Sequence, residues 1–172
     1  QDLVNLVNAV NALRAKGQIL AYHDRSDGGL LAAVAEMAFA GHVGVALNVD
    51  MLVTEGDGIS DSRMETGDAK NWAQQVSARR EELTLKALFN EELGVVLQVR
   101  TAERNEVMQT LREHGLSKFS HFIGKTRPAS SSINAGKGEL QVWRDAKAVF
   151  SAPLADLHQV WDAVSWKICQ QR

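Results

Sequence analysis

YHDRSDGGL, residues 22–30, joins an apolar strand to an apolar helix and is the stretch that decides the fold. Residues 19–22 predict a short strand, and apolar residues at helical spacing after the loop predict a helix that ends at Gly41. Ser26 or Asp27 could cap this helix, because both side chains accept hydrogen bonds from the backbone of a first turn. The stretch therefore indicates a strand–loop–helix unit with a polar turn.

The same loop carries groups that suit a bound magnesium–nucleotide. Gly28 and Gly29 lack side chains, so the backbone could approach a ligand closely, and a helix N-terminus attracts phosphate. Asp24 and Asp27 would repel an anion unless a cation lay between them. Magnesium binds through one or two carboxylates together with the phosphates of a substrate. The loop thus favours a magnesium–nucleotide over a bare phosphate, and an ordinary capped helix end is the structural alternative.

Helices and strands alternate through the rest of the chain. Apolar residues at steps of three and four predict helices at 3–16, within 72–89, at 101–115 with Thr101 as cap, and at 154–168. Alternating apolar residues predict strands at 43–49, 95–99 and 119–123, and a hairpin at 140–150. With no Gly-x-Gly-x-x-Gly turn, this pattern predicts an α/β (α+β) sandwich, a mixed sheet packed with helices, rather than a dinucleotide-binding fold.

Composition excludes several classes of protein. The 172 residues are 45% hydrophobic and 23% charged, which suffices for one globular domain with a core. A net charge of −2 and scattered basic residues argue against nucleic acid or an anionic membrane as partner. No apolar run reaches the roughly 20 residues of a membrane span. The single cysteine, Cys169, cannot form an internal disulfide, which favours a reducing compartment such as the cytoplasm.

A polar stretch at residues 54–69 interrupts the pattern, since it is rich in glycine and nearly without core residues. We interpret it as part of an insertion that spans about 51–82. Asp57, Asp61 and Asp68 could indicate calcium, but their spacing does not match an EF-hand loop. A solvated loop is the preferred interpretation.

Other candidate groups have plainer explanations. His23 beside Asp24 could form an acid–base pair, although a histidine at a strand end more often bonds locally. Residues 90–92, Asn-Glu-Glu, could reach a cation, but a helix end before Gly94 explains them as well. The remaining histidines lack the spacing of a zinc site: His42, His114, His121 and His158.

Two motif blocks resemble one protein family. HDRSDGGL at 23–30 is followed by AEMAFAG at 35–41, and ALFNEELG at 87–94 leads into VVLQV at 95–99. In this order they resemble the second AIR-synthetase-like half of the large, single-chain phosphoribosylformylglycinamidine synthases. The final helix, with Trp161 and Trp166, resembles the exit toward the glutaminase domain. The resemblance fails over about 51–82, so no role is carried over there.

The resemblance implies an activity and a set of site residues. Such proteins carry out the ATP- and glutamine-dependent amidation of formylglycinamide ribonucleotide in de novo purine biosynthesis. Their second half holds an auxiliary ATP or ADP with Mg²⁺, which is regarded as structural. By motif, Asp24 would ligate Mg²⁺ and Ser26 would contact the nucleotide, with Gly28 and Gly29 beside them by the physical argument above. No residue is assigned to catalysis, because the reacting site lies in the other half.

The expected organisation is an AIR-synthetase C-terminal-like domain at 1–153 and a helix at 154–172 that leads toward a glutaminase. The remaining metal ligands and the glutaminase nucleophile would lie elsewhere in a longer parent. The expected partners are therefore its ATP-binding half and its glutaminase, and the chain alone would be inactive. Two alternatives stay open: a purely structural or docking module of the parent, and the C-terminal half of another AIR-synthetase relative.

Overall fold

The computed structural model describes residues 1–56, 69–127 and 138–170. The part of the polar insertion that holds the calcium candidates Asp57, Asp61 and Asp68 lies outside these residues. The elements are numbered in chain order within each type. The helices are α1 (Asp2–Ala15), α2 (Gly29–Gly41), α3 (Asp50–Gly56), α4 (Ala69–Phe89), α5 (Arg104–Glu113) and α6 (Leu154–Gln170). The strands are β1 (Ala21–Asp24), β2 (Gly44–Asn48), β3 (Val95–Gln98), β4 (Gly124–Arg127), β5 (Glu139–Arg144) and β6 (Lys147–Pro153).

The strands form two sheets. A four-stranded sheet has the order β4-β2-β5-β6, and β1 pairs with β3 in a separate antiparallel pair. In the larger sheet β2 runs parallel to β5 and antiparallel to β4, and β6 runs antiparallel to β5. A mixed sheet packed with helices confirms the predicted α+β fold, and the hairpin predicted at 140–150 is the β5–β6 pair.

Strand β3 lies between two apolar cores. The larger core joins α2, β2, β5 and the start of α6, and Val96 packs against it. The smaller core joins α1 and α5, and Leu97 and Val99 pack against it. Successive side chains of a strand point to opposite faces, so one short strand contributes to both cores. The β1–β3 pair is therefore fixed from both sides, and β1 carries the start of the candidate loop.

The predicted helix stops at Gly17 and Gly115 are confirmed, and both have the same geometry. At Gly17 the φ angle is +66°, its N–H bonds Arg14 O at 3.0 Å, and the next N–H bonds Leu13 O at 3.0 Å. At Gly115 the φ angle is +74°, with equivalent bonds of 2.9 Å. These are Schellman ends, in which glycine takes the left-handed conformation without steric cost.

Two predicted elements are wrong. No strand covers 119–123: a 3₁₀ turn occupies Ser117–Phe119, and the strand begins later, at Gly124. A Cβ at Gly124 would lie 2.7 Å from the carbonyl oxygen of Ala46, so this glycine allows β4 to approach β2 where a larger residue could not. Phe122 instead packs under the guanidinium of Arg104, 5.2 Å from the ring centroid, where a cation–π contact holds it.

The helix predicted from a Thr101 cap also differs. Thr101 begins a 3₁₀ turn, Thr101–Glu103, and the α-helix starts after it, at Arg104. No side-chain hydrogen bond caps either element. The 3₁₀ turn satisfies part of the backbone at this end, with the Glu103 N–H on Arg100 O at 3.0 Å.

The apolar stripe of α6 is only half used by this chain. Leu154 is buried and Leu157 packs against the larger core. Further along, Val160, Val164 and Ile168 are 77%, 69% and 56% exposed. The outer part of α6 thus presents an apolar face to solvent. Among the described helices, none combines the length and the apolar character that crossing a membrane requires.

Candidate functional site

The strand before the loop reaches two residues further than predicted. It was expected at 19–22, but β1 spans Ala21–Asp24, with His23 opposite Val96 and Asp24 opposite Val95. Pairing with β3 decides these bounds, which the local pattern of apolar residues could not reveal. The alternation of the strand turns His23 inward and Asp24 outward, and their side chains are 25% and 67% exposed.

His23 bonds locally, the interpretation that its strand-end position favoured. Its Nδ1 lies 2.6 Å from the carbonyl oxygen of Asp24, and its Nε2 lies 2.8 Å from Oε2 of Glu36 on α2. Both oxygens only accept, so both ring nitrogens donate when the imidazole is protonated. The Asp24 carbonyl bond raises the pKa of His23; partial burial opposes this, and the Glu36 carboxylate supports it. His23 is therefore a link between β1 and α2.

The start of α2 is capped from elsewhere in the chain. The loop pattern predicted Ser26 or Asp27 as the N-cap, and this prediction is wrong. The N-cap is Gly28, with a φ angle of +81°. Its N–H donates to Oε1 of Glu91 at 2.9 Å. A carboxylate at a helix N-terminus is stabilised by the helix dipole. The position expected to attract a phosphate thus already holds an anionic side chain of the protein.

Gly29 is required by packing. Its φ angle is +69°, and a Cβ there would lie 2.7 Å from the backbone carbon of Phe89 and 2.8 Å from the carbonyl oxygen of Leu88. The first turn of α2 therefore lies directly against the C-terminal end of α4. This contact accounts for the glycine without a ligand, and close approach of a nucleotide stays a prediction for Gly28 and Gly29.

The second motif block lies against the loop. The backbone N–H of Arg25 donates to Gly94 O at 2.8 Å, and its Nε donates to Glu92 O at 2.8 Å. Asn90 Oδ1 accepts the N–H of Glu92 at 2.8 Å and fixes the turn after α4. The Arg25 bonds and the Glu91 cap join the two blocks through residues that are 63 or more positions apart in the chain. Residues 90–92 have a structural role here, as the helix-end interpretation predicted.

The loop presents two exposed carboxylates, Asp24 and Asp27, to a cation. Asp24 is exposed at the end of β1, and Ser26 and Asp27 are exposed beside it. Over the residues that the structure describes, no three His, Cys, Asp or Glu side chains gather closely enough to hold a metal on their own. Mg²⁺ needs only one or two protein carboxylates when phosphates and water supply the rest. Asp24 therefore fits as one contributor to a shared site.

A concave surface lies elsewhere, along α6. A groove of about 580 Å³ is lined by one side of that helix: Ala155, His158, Gln159, Asp162, Ala163, Trp166 and Lys167. The candidate loop does not line this groove.

The sequence reasoning missed Glu36. Its Oε1 accepts the indole N–H of Trp161 at 2.8 Å, while its other oxygen faces His23. The sequence did mark this residue, because Glu36 is the sole charged residue of α2. A carboxylate on an apolar helix needs a partner, and a search for donors at strand ends and on later helices would have found two.

Residues 1–133 match the family described as AIR synthase related protein, C-terminal domain. The match includes both motif blocks and the loop at 23–29.

Solved structures of larger proteins share the fold. T. maritima PurL complexed with FGAR is similar over 89% of this chain, with a TM-score of 0.60 and 16% identity. T. maritima PurL complexed with ATP is similar over 88%, with a TM-score of 0.59 and 14% identity. Phosphoribosylformylglycinamidine synthase II from Thermotoga maritima is similar over 88% of this chain, with a TM-score of 0.57 and 15% identity. The chain spans 20% of the length of each of these relatives.

Proposed function

The chain belongs to the AIR synthase related proteins, as their C-terminal domain, and on that premise we propose that it works within a phosphoribosylformylglycinamidine synthase. The parent would use ATP and glutamine to amidate formylglycinamide ribonucleotide in purine biosynthesis, in the cytoplasm. This domain would form part of an auxiliary magnesium–nucleotide site. The observation that carries the proposal is the joining of the two motif blocks around an exposed Asp24.

The ligands bound by the structural relatives support the proposed ligand class. One PurL structure contains ATP and another contains FGAR. An ATP- or ADP-type nucleotide is therefore the ligand that we propose for the loop, and a ribonucleotide is the substrate that we propose for the parent.

The proposed roles follow the motif resemblance, and the exposure of each residue supports them. Asp24 would be one ligand of Mg²⁺, and the exposed hydroxyl of Ser26 would contact the nucleotide. Mg²⁺ would supply the positive charge that lets phosphates approach a loop with carboxylates at Asp24, Asp27 and Glu91. Gly28 and Gly29 would bring the backbone near the ligand. None of these residues is assigned to catalysis.

Calorimetric titration of the parent with ADP, with and without Mg²⁺, tests the proposal. Asp24→Asn keeps the size of the side chain and removes its charge, so we expect affinity to fall about tenfold or more when Mg²⁺ is present. Asp27→Asn removes the same charge from the same loop and should have a smaller effect. Equal Mg²⁺-dependent affinities for wild type and Asp24→Asn would refute the role of Asp24.

A second role, docking, is favoured by the exposed apolar face of α6. Val160, Val164 and Ile168 would pack against another part of the parent, and we propose its glutaminase. On this proposal residues 154–172 follow the domain at 1–153 and lead to the glutaminase, with Leu154 and Leu157 at the start of α6 packed on the domain core. Replacing these three residues with polar ones should weaken association of the glutaminase and leave nucleotide binding unchanged. Intact association would exclude docking through this face.

A further inference from the structure

Three elements meet at the carboxylate of Glu36. Its Oε2 lies 2.8 Å from Nε2 of His23 on β1, and its Oε1 lies 2.8 Å from the indole nitrogen of Trp161 on α6. Glu36 itself is on α2, and its side chain is two-thirds shielded from solvent. One side chain thus bridges the strand that carries Asp24 and a helix more than 120 residues further along the chain.

Trp161 is held in place by rings as well as by this bond. The Phe39 ring of α2 lies 5.1 Å from the His158 ring, edge to face, and 5.9 Å from the Trp161 ring. Such contacts restrict how the indole can rotate. The indole N–H therefore meets Glu36 as part of a packed contact between α2 and α6.

We propose that Glu36 couples the 23–29 loop to α6, so that a change at either end alters the other. The His23 ring transmits the link to the loop, because its second nitrogen bonds the backbone carbonyl of Asp24. Trp161 transmits it to α6, on the helix whose outer face is exposed. If the nucleotide site proposed above is correct, binding of the nucleotide changes hydrogen exchange in α6.

Variants at Glu36 separate the bridge from simple packing. Glu36→Met keeps most of the volume and removes both acceptors, so the bridge is lost. Glu36→Gln keeps it, since the amide oxygen accepts from Trp161 and the amide N–H₂ donates to a neutral His23. Rescue by Gln and failure of Met is the signature of a hydrogen-bonded link. Glu81→Gln, at an exposed position on α4, is a control for the loss of charge.

Transmission is tested from the far end of the link. Trp161→Phe keeps the ring packing and removes the indole N–H. Hydrogen exchange of the parent protein is measured without any ligand. We expect amides in 23–28 to exchange roughly threefold faster or more, since the link loses a hydrogen bond to a charged group. Trp166→Phe, an exposed tryptophan on the same helix, is the matched control and should leave 23–28 unchanged.

The ligand-free result decides the proposal. Faster exchange at 23–28 in Trp161→Phe and in Glu36→Met, with near wild-type exchange in Glu36→Gln, supports it. Exchange that changes only within α6, or equally in Trp161→Phe and Trp166→Phe, overturns it.

A second arm adds Mg-ADP and reports separately on the proposed function. In the wild type, exchange should slow both at 23–28 and in the 157–166 segment of α6, and Glu36→Met should lose the effect at α6 alone. If Mg-ADP protects neither segment, the proposed nucleotide site is wrong, and the ligand-free arm still decides the coupling. Protection of the loop without any effect at α6 in the wild type contradicts the coupling.

Discussion

At the residue scale, Gly29 and Gly17 share a positive φ angle and differ in their surroundings. Gly29 lies against the backbone of α4, with less than 3 Å for a Cβ, and nothing lies within 4 Å of a Cβ at Gly17. Alanine at either position costs about 1–2 kcal/mol for the left-handed conformation. At Gly29 the clash adds about 1–3 kcal/mol, because the obstacle is backbone that cannot rotate away.

Chemical denaturation of Gly29→Ala and Gly17→Ala measures this difference directly. We expect Gly29→Ala to lose clearly more free energy of unfolding than Gly17→Ala. Equal losses would mean that α2 and α4 are not in close contact at this point.

The cap of α2 shows what a residue-level pattern cannot supply. Ser26 and Asp27 have the right chemistry for an N-cap, but the N–H of Gly28 bonds Glu91, 63 positions away in the chain. Local sequence gives the type of group that can cap a helix. It does not give a competing carboxylate that only the tertiary fold brings near.

At the element scale, the β5–β6 turn combines a correct prediction with an unfavourable sequence. The hairpin was predicted, and both central residues of the turn, Asp145 and Ala146, have positive φ angles of 52° and 59°. Side chains of other elements compensate: Asp50 Oδ1 accepts the N–H of Asp145 at 2.8 Å, and Arg80 pairs with its carboxylate at 2.6 Å. The turn is therefore held by α3 and α4.

Ala146→Gly should stabilise this turn. Asp-Gly is a favoured pair where both central residues have positive φ, so relief of the left-handed alanine should raise the free energy of unfolding by about 0.5–1 kcal/mol. Thermal or denaturant unfolding measures the change. A lower stability of Ala146→Gly would show that Ala146 does not adopt the left-handed conformation.

Strand bounds were less predictable than strand presence. The apolar pattern located β2, β3 and the β5–β6 hairpin, because apolar residues of each are buried in a core or pack against one. It placed β1 two residues early, because His23 and Asp24 are polar and pair only through their backbone with Val96 and Val95. It also predicted a strand at 119–123, where Phe119 and Phe122 are in fact exposed.

At the scale of the whole molecule, the chain presents an exposed candidate loop and an exposed apolar helix face. Asp24 is exposed, no three metal-ligating side chains gather among the described residues, and the outer face of α6 is apolar. Both features are accounted for by a domain that works with others. The family and the fold could be predicted because the two motif blocks are local. The bonds between the blocks could not, because they depend on tertiary contacts, whereas Glu36 could have been found as the sole charged residue of α2.

The chain alone should therefore bind Mg-ADP much more weakly than the proposed parent does. Mg²⁺ affinity depends on the number and geometry of its ligands, and in the proposed site this chain would supply only some of them. Calorimetry of the separate chain with Mg-ADP measures the difference. Micromolar binding by the chain alone would contradict the shared site.

The role that we propose for Asp24 is to hold the metal of a nucleotide site. The most direct measurement is the amount of nucleotide and Mg²⁺ that copurifies with the parent, compared among wild type, Asp24→Ala and Asp27→Ala. Wild type and Asp27→Ala should retain both nucleotide and Mg²⁺, and Asp24→Ala should lose most of both. A full complement of nucleotide and Mg²⁺ in purified Asp24→Ala would contradict this role.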